Sequence, residues 1–136
     1  MPKTKRTVTW ALREVQALAA PLPTSADKAS KGRTAAYGFG RELDRLGRER
    51  TPAENAKQDK LNSVAQKAVK KLDSGLKAAE AFGTRHLGLL PPVVVESLKA
   101  LVALGRNVPG EQVNELPEIV RKMQVELSRL KAVIGK

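Results

Sequence analysis

The sequence predicts an all-α protein, a compact bundle of four to five helices with one long central helix. Three observations lead there. Apolar residues recur at steps of three and four along every major segment. Threonine, proline and glycine stand where helices start and stop. Val93-Val94-Val95 is the one run that reads as a strand, and no second alternating run exists to pair with it. A chain of 136 residues fits one domain of ordinary size. The division expected is a flexible basic arm over 1–6 and a single helical domain over 7–136. Hydrophobic residues make up 41% and aromatics only 3%, so the core must be aliphatic.

Thr7 or Thr9 caps a first helix that reaches about Ala20, with Val8, Leu12, Val15, Leu18 and Ala19 at helical spacing. Pro21-Leu22-Pro23 is expected to end it, and Thr24 to Gly32 reads as a polar loop. Ala36, Phe39, Leu43 and Leu46 then mark a second amphipathic helix ending at Gly47. Thr51-Pro52-Ala53-Glu54 combines a capping hydroxyl, a proline at the first helical position and a capping-box carboxylate. From there Leu61, Val64, Ala65, Ala68, Leu72, Leu76, Ala79 and Phe82 hold one face until Gly83, a helix of roughly 45 Å. Gly75 in its interior predicts a kink or a close contact. Pro92 opens a fourth helix to about Leu104, apolar around most of its circumference, with Gly105 past its end. After Asn107-Val108-Pro109-Gly110, a last helix runs from about Pro117 to Ile134. Leu116, Val120, Met123, Leu127, Leu130 and Ile134 give it the spacing of a packing seam.

Several function classes have no support. Without cysteine there is no thiol nucleophile, disulfide framework or cysteine-type zinc site. His86 is the sole imidazole; Arg85 beside it disfavours a metal, and it reads as a surface or capping group at a helix end. Tyr37-Gly38-Phe39-Gly40 lacks the spacing of a phosphate-cradling loop. The expectation is a protein that is not an enzyme and needs no cofactor or metal. The longest apolar stretch, Val93 to Leu104, is broken by Glu96, Ser97 and Lys99, short of the roughly 18 residues of a membrane span. Met1 to Arg6 is basic and no apolar signal core follows, so a cytoplasmic location is expected.

The charge is the strongest functional signal. Lys and Arg number 25 against 14 acids, a net charge of +11. The first 50 residues hold eleven bases and five acids, more than half of the surplus. Such a surface calls for an anionic partner, and a nucleic-acid backbone rewards scattered Lys and Arg contacts through counterion release. On the third helix Lys60, Lys67 and Lys71 lie along one side of the apolar stripe, with Lys70 and Lys77 beyond them. Such a ridge would track phosphates without choosing sequence; a solvated face with snorkelling lysines would look the same. On the second helix Arg41, Arg45 and Arg48 recur at i, i+4 and i+7, preceded by Lys28, Lys31 and Arg33. Tyr37 among these arginines would stack on an unpaired base, or else cover the core edge beside Phe39 while Glu42, Asp44 and Glu49 pair with the arginines. Trp10 is expected between helices or as a partner anchor. The expected nucleic-acid-binding set is therefore Arg33, Arg41, Arg45, Arg48, Lys60, Lys67, Lys70, Lys71 and Tyr37.

In length, charge and helix order, with its Arg-rich second helix and long amphipathic third, the chain resembles the small-subunit family of multisubunit (class 1) CRISPR surveillance complexes. The likeness is architectural, and no residues are carried over. It implies a helical bundle in an antiviral ribonucleoprotein, stacked in several copies along larger subunits and lining guide or target strand with basic side chains. The partners expected are thus RNA or single-stranded DNA, larger protein subunits and copies of itself, and no membrane. Alternatives are a homodimeric DNA-binding accessory protein of plasmid, phage or nucleoid type, joined through the last helix, and an interaction protein whose charge serves an acidic protein partner or a membrane surface. For the membrane case the amphipathic helices lack the Trp- and Phe-rich face that interfacial anchoring favours.

Overall fold

Each helix begins or ends where a local signal stands. The computed structural model describes residues 7–135, and among these it forms helices and no strand. The elements are α1 (Val8–Ala19), α2 (Leu22–Arg45), α3 (Pro52–Arg85), α4 (Pro92–Arg106) and α5 (Leu116–Ile134), with short 3-10 turns at Leu87–Leu89 and Val113–Glu115. The expected basic arm over 1–6 lies outside the described residues.

Thr7 caps α1, its hydroxyl accepting from the Trp10 amide at 3.1 Å. The first departure from expectation follows. Pro21 and Pro23 do not open a loop; the chain bends and continues as α2, so 24–32 is helical. Ala20 and Pro21 keep right-handed helical backbone angles, and the Pro21 carbonyl accepts from the Ser25 amide at 2.9 Å. A proline in a first helical turn lacks only an N–H that has no intrahelical partner anyway. The 24–32 segment looked polar because its buried residues are small: Ala26, Ala29 and Ser30 face inward between Asp27, Lys28 and Lys31.

Small residues also explain how α2 meets α3. The two helices run antiparallel, Leu22 lying against Gly75, Gly32 against Ala65 and Gly40 against Gln58. A Cβ at Gly32 would stand 3.1 Å from the Ala65 Cα, so the backbones nearly touch. Gly75 thus marks a close contact, the Leu22 methyl standing 3.0 Å from where a Cβ would be. The expected stripe of α2 holds only in part. Ala36 and Leu43 are buried and Phe39 is half-buried, whereas Leu46 is 54% exposed. Gly47 ends the helix with a positive φ of 65°, the left-handed conformation that glycine adopts without strain.

The capping box of α3 is complete. Thr51 Oγ1 accepts from the Glu54 amide at 3.1 Å, and Glu54 accepts from the Thr51 amide at 2.9 Å. At 34 residues α3 is about 50 Å long and packs against α1, α2 and α4, while α5 packs on α4, α2 and α1. Gly105 does not lie past the end of α4. It is buried inside that helix, where a Cβ would meet the Leu76 methyl at 2.6 Å, so it lets α4 press onto α3. Nor is α4 buried all round: Val94, Leu98, Leu101 and Val102 face the core while Val93 is 50% exposed. On α5, Leu116, Val120, Met123 and Leu130 are buried within the bundle, and Leu127 and Ile134 pack beside them. The apolar seam of α5 thus faces the chain's own core.

Trp10, Phe82 and His86 close one end of the bundle, with ring centroids 4.5 to 5.4 Å apart. His86 caps α3, as its position suggested, but it is buried against the two rings instead of facing solvent. Trp10 lies between α1 and α3, the packing role expected of it.

Candidate nucleic-acid interface

Antiparallel packing of α2 on α3 gives the pair two opposite flanks, and the basic residues divide between them. On one flank Lys57 stands over the Phe39 ring, 4.7 Å from its centroid. Following the helix at about 100° per residue from Lys57, the same flank carries Lys60, Val64, Lys67 and Lys71. All four are exposed, Val64 at 52%. Lys60, Lys67 and Lys71 have no hydrogen-bond or ion-pair partner among the described residues. This is the lysine ridge anticipated from the sequence, and over its eleven-residue span it is roughly 16 Å long.

On the opposite flank Arg33, Ala36 and Tyr37 of α2 meet Asn62, Ala65, Gln66, Val69 and Lys70 of α3. With Pro109 and Val113 from the α4–α5 connection they line a groove of about 510 Å³. Tyr37 is 53% exposed, and the Arg41 guanidinium lies 5.8 Å from its ring centroid. Lys70 therefore separates from Lys60, Lys67 and Lys71, and Tyr37 does not cover a core edge beside Phe39 but stands on the other side of the helix pair.

Three of the four arginines in the expected set are engaged within the fold. Arg33 Nη1 donates to the Val108 carbonyl at 2.7 Å and the Glu111 carbonyl at 2.6 Å, fastening α2 to the turn that follows α4. Arg48 forms a two-pronged pair with Glu54, 2.8 and 3.0 Å, and Arg50 beside it reaches Asp44 at 2.8 Å. Glu54 is held down to about 2 from 4.5, first by the Arg48 hydrogen bond and then by the Thr51 amide. Arg45 pairs with Glu42 at 3.2 Å on an exposed helix surface. The pairing with Glu42 and Asp44 foreseen from the sequence thus occurs, with Glu54 in the place expected for Glu49. Lys31 and Lys77 also have carboxylate partners, Asp27 at 3.0 Å and Asp73 at 2.9 Å.

Sequence reasoning passed over Gln58. It stands seven residues before Ala65 and fourteen before Leu72, so it shares their inward register, and a polar residue at such a position is a legible signal. Buried at the α2–α3 seam, it donates from Nε2 to the Ala36 carbonyl at 2.9 Å and to Asn62 Oδ1 at 3.0 Å.

Comparison of the chain with protein-family models, curated proteins and solved structures returns no match. No described helix is long and apolar enough to cross a membrane.

Proposed function

We propose that this protein is a non-catalytic helical subunit that holds a nucleic-acid phosphate backbone, RNA or single-stranded DNA, inside a larger cytoplasmic ribonucleoprotein in which it is present in several copies. The observation that supports this reading is the ridge Lys60, Lys67 and Lys71: three exposed ammonium groups on one helix flank with no carboxylate partner among the described residues. Lys31, Arg45, Arg48, Arg50 and Lys77, on α2, α3 or the turn between them, each have a carboxylate partner, so the ridge is a run of unneutralised charge beside paired bases. Ammonium groups along a rigid helix suit a polyanion contacted without sequence choice. The CRISPR small-subunit resemblance adds an assembly in which a fold of this kind lines a strand.

Fluorescence anisotropy with labelled oligonucleotides over a salt series tests it. Replacing Lys60, Lys67 and Lys71 by Ala together should weaken binding to all sequences and lower the log–log salt slope by about two for a single strand. Unchanged affinity and slope would refute the assignment. The triple lysine variant is a cleaner probe than removal of the arginines, because Arg33 and Arg48 are tied into the fold.

A further inference from the structure

We infer that the groove on the flank opposite the ridge takes one unpaired base of the bound strand, stacked on Tyr37 and read by the side-chain amide of Asn62. This rests on the nucleic-acid reading above and specifies the form the nucleic acid must have at that point, single-stranded.

The groove has the components a nucleotide needs. Tyr37 offers an exposed aromatic face with Arg41 beside it, Val69 and Val113 give apolar walls, and Lys70, exposed and without a partner among the described residues, supplies a cation for the phosphate. No carboxylate lines the groove, which favours an anionic occupant over a basic one.

Asn62 gives the groove a directed donor. The chain of reasoning starts at the Ala36 carbonyl, which can only accept. The Gln58 side chain must therefore turn its NH₂ toward it, and the same NH₂ reaches Asn62 at 3.0 Å. Asn62 must answer with its oxygen, which leaves its own NH₂ unengaged in a residue that lines the groove. Gln58 is thus a positioning residue, held at the seam where Gly40 leaves room for it: a Cβ at Gly40 would be 3.2 Å from Gln58 Oε1. An asparagine reads adenine by giving and accepting at once. The Asn62 oxygen already accepts from Gln58, so the side chain chiefly presents its NH₂, which suits an acceptor on the base edge, a carbonyl oxygen or a ring nitrogen.

The test compares the full chain with Tyr37→Ala, Tyr37→Phe, Asn62→Ala and the triple lysine variant. Each is titrated against oligo(U), oligo(A) and a duplex of equal length. Tyr37→Ala should lose about tenfold on single strands and nothing on the duplex, with Tyr37→Phe close to the parent. Asn62→Ala should weaken binding to both single strands and leave the duplex unchanged. Oligonucleotides carrying 5-iodouridine should photocross-link to Tyr37, the sole tyrosine. If the triple lysine variant loses binding while Tyr37→Ala keeps it, or the adduct maps only to the ridge, the groove assignment is wrong and the ridge stands. If the parent protein binds neither single strand nor duplex, both readings fall.

Discussion

Arginines and lysines have been put to different use on the α2–α3 pair. Arg33, Arg48 and Arg50 are consumed in joining segments of the fold, at distances of 2.6 to 3.0 Å to carbonyl and carboxylate oxygens. Lys60, Lys67, Lys70 and Lys71 project from one helix and pair with nothing among the described residues. Guanidinium has five donors in a fixed plane and loses little freedom in gripping two acceptors, whereas an ammonium on a flexible stem gains little from one surface partner. Counting basic residues therefore overstates the surface available to a polyanion. The useful quantity is the charge left after the fold has taken its share.

The largest effect expected from breaking this contrast is at Arg33. Its removal strands the Val108 and Glu111 carbonyls beside a half-buried gap, and Arg33→Ala should destabilise the protein by about 2–3 kcal/mol in a denaturant titration. Arg33→Lys should recover only part, since one ammonium does not reproduce the guanidinium geometry. The triple lysine variant should by contrast melt within about 0.5 kcal/mol of the parent, as surface substitutions away from packing contacts do. A large loss of stability there would show that the ridge is structural.

Two glycines of α2 sharpen the difference between packed seam and open flank. Gly32→Ala drives a methyl toward the α3 backbone, which cannot yield as a side-chain tip would, and should cost about 1–2 kcal/mol. Gly38→Ala meets nothing within 4 Å and should stabilise by about 0.5–1 kcal/mol, because it restricts the unfolded chain and improves helix propensity. Thermal melts of the two variants should move in opposite directions.

The smallest effect concerns Arg48 and Glu54. Glu54 titrates lower in the folded protein than in the unfolded chain, so its contribution is fully present above the ordinary carboxylate range. It is lost as pH falls from 4.5 to about 2. In Arg48→Ala the Glu54 carboxyl should move back up toward 4.5, with the Thr51 amide still holding it partly down. A carbon-detected NMR titration reads this directly, and an unmoved midpoint would remove the pair from the account.

Much of the architecture was legible because helix ends and faces are local properties. The capping box at Thr51 and Glu54, the cap at Thr7 and the seam from Leu116 to Leu130 depend on residues within a turn or two of one another. The same locality explains the errors. Pro21 and Pro23 are breakers in a helix interior and harmless in a first turn, and which applies depends on whether Ala26 and Ala29 find a partner helix. Gly105 looks like a cap from its neighbours alone, and only the approach of Leu76 makes it a packing residue. Gly40 and Gln58 likewise acquire a purpose from each other across the α2–α3 seam.

By itself, the sequence determined that this chain folds as helices, where most of them begin, and that it carries a surplus of +11. Tertiary structure decided which of those charges remain available. Arg33 is linked to carbonyls 75 and 78 residues away, and Tyr37 is set across a groove from Asn62 and Lys70. The physical reason is range: helix propensity, capping and periodicity act within a few residues, whereas pairing a charge or lining a groove requires atoms that only the folded chain brings together.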